Sequence, residues 1–229
     1  MEPFYISDQS KKLVDQHPKI EEIIAVLESQ NDDEIQGLCR LWLSEGIPSA
    51  FLGQPMLYEI ARDWTARRIN IHPKELTLIG SARIGYSLAP GAKTGRSFGS
   101  HSDLDLAAIS SDLFERCEQE FLLFRNDLQE GTIIPKTKKT AVLWPEIAGD
   151  IERTRLHRGF IDIWKVPNLD RYPLTQRIAQ TCWLMRQKIE ITNGGFLIND
   201  ASLRVYRDFP SFIRQLSINL RAIRDSRHL

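Results

Sequence analysis

The sequence predicts an α+β fold: a small mixed β-sheet flanked by helices, with helical extensions at both ends. Three observations carry this expectation. A short apolar run, Leu76 to Ile79, is cut off by Gly80. Residues 103–109, DLDLAAI, alternate acidic and apolar positions before the pattern turns uniformly apolar, and GFIDIWKV at 159–166 alternates again. Alternation places successive side chains on opposite faces of a strand, whereas the apolar residues on either side of this region recur at helical spacing. The expected boundaries are an N-terminal helical region over 1–73, a core over 74–170 and a C-terminal helical region over 171–229.

Taken in chain order, residues 18–30 place Ile20, Ile23, Ile24 and Leu27 on one helical face, and 32–45 continue with Ile35, Leu38, Leu41 and Trp42. GIPSAFLGQP is a connector, after which Pro55 can open a helix reaching about Asn70. The run 76–79 reads as a strand, and Gly80-Ser81 as a sharp turn into a helix start. Residues 89–100, APGAKTGRSFGS, hold three glycines and a proline and read as an exposed, mobile loop. A strand follows at DLDLAAIS, then an amphipathic helix over 112–129. One or two strands are expected within 131–144, around the basic PKTKK, and another strand at 159–166. Helices are expected at 174–190 and 198–225, the second with Pro210 as a point of interruption.

Apolar residues make up 42% and charged residues 26%, the balance of an ordinary globular protein rather than a largely disordered chain. Lysine plus arginine equals aspartate plus glutamate at 30 each, so no global positive field gathers polyanions and any such ligand must be held locally. The charge is uneven: residues 1–37 carry nine acids against three lysines, and residues 203–229 six arginines against two aspartates. The two ends could attract each other; two separately solvated helix faces are the plainer reading. Cys39, Cys117 and Cys182 lie far apart, with neither disulfide-framework nor zinc-ligand spacing. They read as core thiols. With neither a signal-like start nor an apolar stretch of membrane-spanning length, a cytoplasmic protein without a membrane partner is expected.

The chemistry concentrates in three places. On one strand Asp103 and Asp105 project to the same side while Leu104 and Leu106 enter the core, which sets the two acids roughly 7 Å apart at the backbone. Such a pair can converge on two divalent cations about 3.5–4 Å apart, an arrangement that holds a triphosphate for in-line displacement. Magnesium suits oxygen donors of this kind, with Mn²⁺ an alternative. Asp162 is the candidate third carboxylate, on one strand face with Phe160 and Trp164. Gly80, lacking Cβ, permits close backbone approach at a strand-to-helix turn, where N–H groups can bind an anion, and Ser81 adds a hydroxyl donor. Arg83 follows closely enough to reach a phosphate with its bidentate guanidinium.

Together, LIGSARIGYSLAPGAKTGRSFGSHSDLDLAAIS resembles the signature of the nucleotidyltransferase superfamily that includes DNA polymerase beta. That signature is an apolar strand, Gly-Gly or Gly-Ser, a spacer, aspartate-apolar-aspartate-apolar on the next strand, and a third acid on a later strand. The resemblance covers residues 74–166 and matches Gly80, Ser81, Asp103, Asp105 and Asp162. The flanking helices also look like the layout of bacterial enzymes that make signalling nucleotides, a group for which this chain is short. Ser81 and Asp103 are 22 positions apart, longer than the family's usual spacer, and the glycine-rich loop accounts for the excess at small entropic cost.

The resemblance implies transfer of a nucleoside monophosphate from a nucleoside triphosphate to a hydroxyl acceptor, with release of pyrophosphate. The acceptor could be RNA, a protein, a nucleotide or a small molecule. Prokaryotic members of the family serve antibiotic modification, toxin–antitoxin pairs or antiviral defence. A catalytically silent nucleotidyltransferase-like binding module or antitoxin is the alternative. Other residues carry weaker signals. GAKTG lacks the pattern of a phosphate loop, although Lys93 or Arg96 could fold over a bound triphosphate. His101 reads as a polar surface group, Lys136, Lys138 and Lys139 as a solvated turn, and Tyr86 as a packing residue, while Trp164 could stack on a base. Arg207, Arg214 and Arg221 would line one stripe of a continuous helix.

Overall fold

The computed structural model describes residues 6–28, 31–150 and 156–227. A four-stranded mixed sheet is assembled from β1 (Leu76–Ile79), β2 (Leu104–Ile109), β3 (Phe160–Asp162) and β4 (Ala201–Tyr206). The spatial order is β1-β2-β4-β3: β1 runs antiparallel to β2, β2 parallel to β4, and β3 antiparallel to β4. Around it lie α1 (Ile20–Glu28), α2 (Asp32–Leu41), α3 (Pro55–Ile69), the single-turn α4 (Gly80–Ile84) and α5 (Ser111–Gln129). The chain continues with α6 (Lys138–Asp150), α7 (Leu156–Arg158), α8 (Pro173–Ile191) and α9 (Phe209–Arg227). The α+β class is therefore as expected. No described helix is long and apolar enough to cross a membrane.

Alternation along the strands gives the sheet two different faces. Leu104, Leu106 and Ala108 of β2, with Leu203 and Val205 of β4, bury one face against α3, α5 and α8, where Phe114, Phe121, Phe124 and Tyr172 complete the larger core. The other face carries Ile79, Ala107, Phe160 and Tyr206, which share a core with Phe212, Leu216 and Leu220 of α9; α9 in turn packs on α2, whose Leu38 and Cys39 join the same core. Each large apolar side chain so buried contributes about 1.5–3 kcal/mol, and this holds both terminal regions to the sheet. Arg221 of α9 also reaches Asp32 at the start of α2 at 2.8 Å, so the acidic and basic ends meet here, through an exposed pair of modest worth. The three cysteines are free and buried.

Three segments differ from expectation. Residues 131–144 hold no strand; α6 begins in this stretch instead. Thr137 and Thr140 exchange backbone and side-chain hydrogen bonds at its start, and Trp144, Ile147 and Ala148 then fall on one helical face, with Trp144 edge-on to Phe124. The strand expected over 159–166 stops at Asp162. A tight 3-10 turn over Ile163–Lys165 follows, burying Ile163 and leaving Trp164 61% exposed. The helix expected from 198 is replaced in its first part by β4, which forms the middle of the sheet; α9 starts only at Phe209, with the Ser211 N–H donating to Asp208 Oδ1. The C-terminal region is thus part of the sheet, and Arg207 precedes the helix, which breaks the arginine stripe.

The glycine-rich loop folds back on itself. Tyr86 and Ser97 form a bridge, the Ser87 N–H donates to the Arg96 carbonyl, and the Gly95 N–H donates to the Ser87 carbonyl. Lys93 and Arg96 remain exposed at its tip.

Candidate functional site

The second face of the sheet is apolar at one end and polar at the other. Antiparallel pairing sets Ile79 opposite Asp105, the parallel pair sets Asp105 opposite Ser202, and β3 sets Asp162 opposite Arg204. Paired residues share a face and so do residues two apart, so Asp105, Ser202, Arg204 and Asp162 all project to one side. A cavity of about 490 Å³ opens above them, walled by Leu216, Asn219 and Leu220 of α9 and by the start of the glycine-rich loop. Gly80, Ser81 and the exposed Trp164 also line it.

Gly80 makes the turn from β1 with a φ of +67°, in the left-handed region that favours glycine. A Cβ at this position would stand 3.2 Å from Asp105 Oδ2, so the missing side chain brings the Gly80-Ser81 backbone up to the carboxylate. The helix that follows is a single turn, so its dipole is small. Backbone N–H groups and the half-buried Ser81 hydroxyl are the donors available at this turn.

Asp105 accepts a hydrogen bond from Ser202 Oγ at 2.9 Å. Burial pushes its pKa above the ordinary carboxylate range; Ser202 opposes the rise, Asp103 adds to it, and Arg204 opposes it. Asp103 stands just ahead of β2, exposed and outside the set of cavity-lining residues, with Oδ1 accepting from Asn199 Nδ2 at 2.8 Å. Asp162 is only 4% exposed and forms an ion pair with the Nε of Arg204. The Arg204 guanidinium also lies 5.1 Å over the Phe160 ring and donates to the Tyr206 hydroxyl at 3.4 Å.

The structure thus brings Gly80, Ser81, Asp105 and Asp162 to one cavity, with Asp103 beside Asp105. It does not gather the three acids. A whole strand separates β2 from β3, two interstrand steps of about 4.8 Å each, and the pairing is offset by the two residues between Ser202 and Arg204, so the Asp105 and Asp162 backbones stand on the order of 12 Å apart. Among the described residues, no group of three or more His, Cys, Asp or Glu side chains stands together where it could hold a metal ion. The hard oxygen donors of Asp103 and Asp105 fit a divalent cation, which would also relieve the cost of burying Asp105. A pair of ions held by all three acids does not fit, because Asp162 is paired with Arg204.

Arg83 also departs from the expectation. It is 1% exposed, donates to the Ile47 carbonyl at 2.7 Å and is no part of the cavity; burial lowers its pKa. As the third residue after the turn it points into the packing between α4 and the 46–47 segment rather than towards a phosphate. Tyr86 packs as expected, its hydroxyl donating to the Pro18 carbonyl, and His101, Lys136, Lys138 and Lys139 are surface groups.

Ser202, Arg204 and Asn219 escaped the sequence reading because they join the site only through β4 and α9. One signal could have found the first two: in ASLRVY, Ala201, Leu203 and Val205 alternate with polar residues that must face the other way. Compared with known proteins, the chain matches no family model, no curated protein and no solved structure.

Proposed function

We propose that this chain is a metal-dependent nucleotidyltransferase. The observation that carries the reading is the Asp105 carboxylate on the cavity floor, held against the Gly80-Ser81 turn, where a Cβ at position 80 would crowd it at 3.2 Å. The cavity, at about 490 Å³, falls within the range of about 300–1,000 Å³ found for small-molecule sites. The Ser81 hydroxyl and the backbone N–H groups of its turn bind the phosphates of a nucleoside triphosphate. Trp164 offers an exposed ring at the cavity wall for the base. Asp103 and Asp105 are the residues that would hold Mg²⁺ or Mn²⁺, which supplies neutralisation of phosphate charge. In the reaction an acceptor hydroxyl oxygen bonds to the α-phosphorus, the bond from that phosphorus to the bridging oxygen of pyrophosphate breaks, and the hydroxyl proton leaves to water. The acceptor is an RNA end, a protein side chain, a nucleotide or a small molecule.

A second reading, a catalytically silent module or antitoxin built on the same scaffold, is favoured by the Asp162–Arg204 pair, which occupies the acid that a two-ion centre would use. Incubation of the purified chain with each α-labelled nucleoside triphosphate, Mg²⁺ and cell extract separates the two. Label appearing on a macromolecule or small product, and lost in Asp103→Ala and Asp105→Ala, supports transfer. Triphosphate binding without any label transfer under these conditions moves the silent reading ahead.

A further inference from the structure

The transferase reading, on which this inference rests, carries with it two cations held by three carboxylates, and the cavity floor is built differently. Across from Asp105 on the neighbouring strand stands a hydroxyl, Ser202, rather than an acid. The acid one strand further, Asp162, has its side chain 5% exposed and faces Arg204 across the β3–β4 pair. A desolvated carboxylate with a charged partner is costly to separate from it, so Asp162 is poorly placed to turn away and bind metal. Arg204 is fixed in turn by its place on the central strand, by the Phe160 ring beneath it and by the Tyr206 hydroxyl. Its side chain nevertheless keeps 31% of its surface open and lines the cavity beside Asp105.

We infer that Arg204 stands in for one of the two cations. A single divalent ion sits at the cavity edge, on Asp105 and the neighbouring Asp103, beside a nucleoside triphosphate in the cavity whose phosphates the Arg204 guanidinium contacts directly. A planar guanidinium, with its fork of N–H donors, is suited to phosphate oxygens. Arg204 is therefore a substrate-positioning residue, its guanidinium held from the adjacent strand by Asp162.

The test counts ions rather than turnover. The full-length chain is saturated with a non-hydrolysable α,β-methylene triphosphate, and bound Mn²⁺ is measured by electron paramagnetic resonance while nucleotide affinity is measured by titration. Wild type is expected to hold one Mn²⁺ per nucleotide complex. Arg204→Gln, which removes the guanidinium from the cavity, is expected to weaken nucleotide binding at least tenfold at one Mn²⁺ equivalent. Arg204→Lys, which keeps the charge but loses the fork, should fall between the two, and it guards against a misfolded glutamine variant. Two Mn²⁺ in wild type, or unchanged affinity in a folded Arg204→Gln, overturns the inference and leaves the transferase reading standing. Absence of any Mn²⁺-dependent triphosphate binding in wild type removes the transferase reading, and the inference with it.

Discussion

Gly80 and Asp105 are the two residues on which the site turns. A side chain at position 80 faces two separate costs: a left-handed backbone worth about 1–2 kcal/mol for a non-glycine residue, and a Cβ 3.2 Å from Asp105 Oδ2. Gly80→Ala is therefore expected to lower stability by about that amount and to lower nucleotide binding further, because the carboxylate must give way. Thermal unfolding and triphosphate titration on the same protein check both parts; wild-type affinity in a destabilised Gly80→Ala would mean that the turn is structural only. Asp105 shows the opposite balance. Its burial disfavours the charged form, so Asp105→Asn at neutral pH should leave the thermal midpoint unchanged or raise it while abolishing binding that depends on metal. A clear drop in midpoint would make the Ser202–Asp105 contact a fold-stabilising one. The local motif made both residues legible in the sequence, since strand alternation and a glycine at a strand end need only neighbouring positions. Arg204, which faces Asp162 in the same cavity, joins Asp105 through strands 97 positions apart in sequence, as the Ser202–Asp105 bond shows, and no local pattern reports such a contact.

At the scale of elements, β4 was hidden by an ambiguity of period. Ala201, Leu203 and Val205 alternate as in a strand, yet Leu203, Tyr206, Phe209, Ile213, Leu216 and Leu220 also recur at three- and four-residue spacing, so the helix that follows absorbs the strand before it. The sheet resolves it, because the six-residue segment pairs along its length with β2 and, from Arg204 to Tyr206, also with β3. The α5–α8 junction shows how the helices on the other face are fixed. Glu120 of α5 accepts from the Leu174 and Thr175 N–H groups and from the Thr175 hydroxyl, capping the first turn of α8 from a neighbouring helix. Two turns further along α5, the buried Asp127 accepts from Arg171 and, at 2.9 Å, from the Tyr172 hydroxyl. The Arg171 hydrogen bond holds the Asp127 pKa below its ordinary value against the opposing effect of burial. The stability this pair contributes is present above the unfolded-state pKa of about 3.9 and is lost as pH falls through the lowered folded-state value. Asp127→Ala leaves the buried Tyr172 hydroxyl unpaired and is expected to cost about 1–3 kcal/mol at pH 7. Midpoints measured from pH 6 to pH 2 should fall less steeply in the variant than in wild type; parallel curves would show that Asp127 titrates alike in the folded and unfolded chain.

Over the whole molecule the sheet separates two tasks. Its larger core, against α3, α5 and α8, fixes the strands, while α9, backed by α2, covers the apolar end of the other face and walls the cavity at its polar end. Helix α9 is therefore a wall of the site as well as an extension of the core, and a chain lacking α9 would lose both Leu216 packing and the Asn219 side of the cavity. The class and most of the helices follow from periodicity in the sequence; the strand order, and with it the partner of Asp162, does not, because order depends on which distant segment pairs with β2. The central claim is that this cavity holds a triphosphate through a cation on Asp103 and Asp105. Its most direct test is calorimetric titration of each nucleoside triphosphate, with and without Mg²⁺, into wild type and Asp105→Asn. The account predicts binding to wild type that depends on Mg²⁺ and falls at least tenfold in the variant. Binding that is indifferent to Mg²⁺ and equal in the two proteins would contradict it.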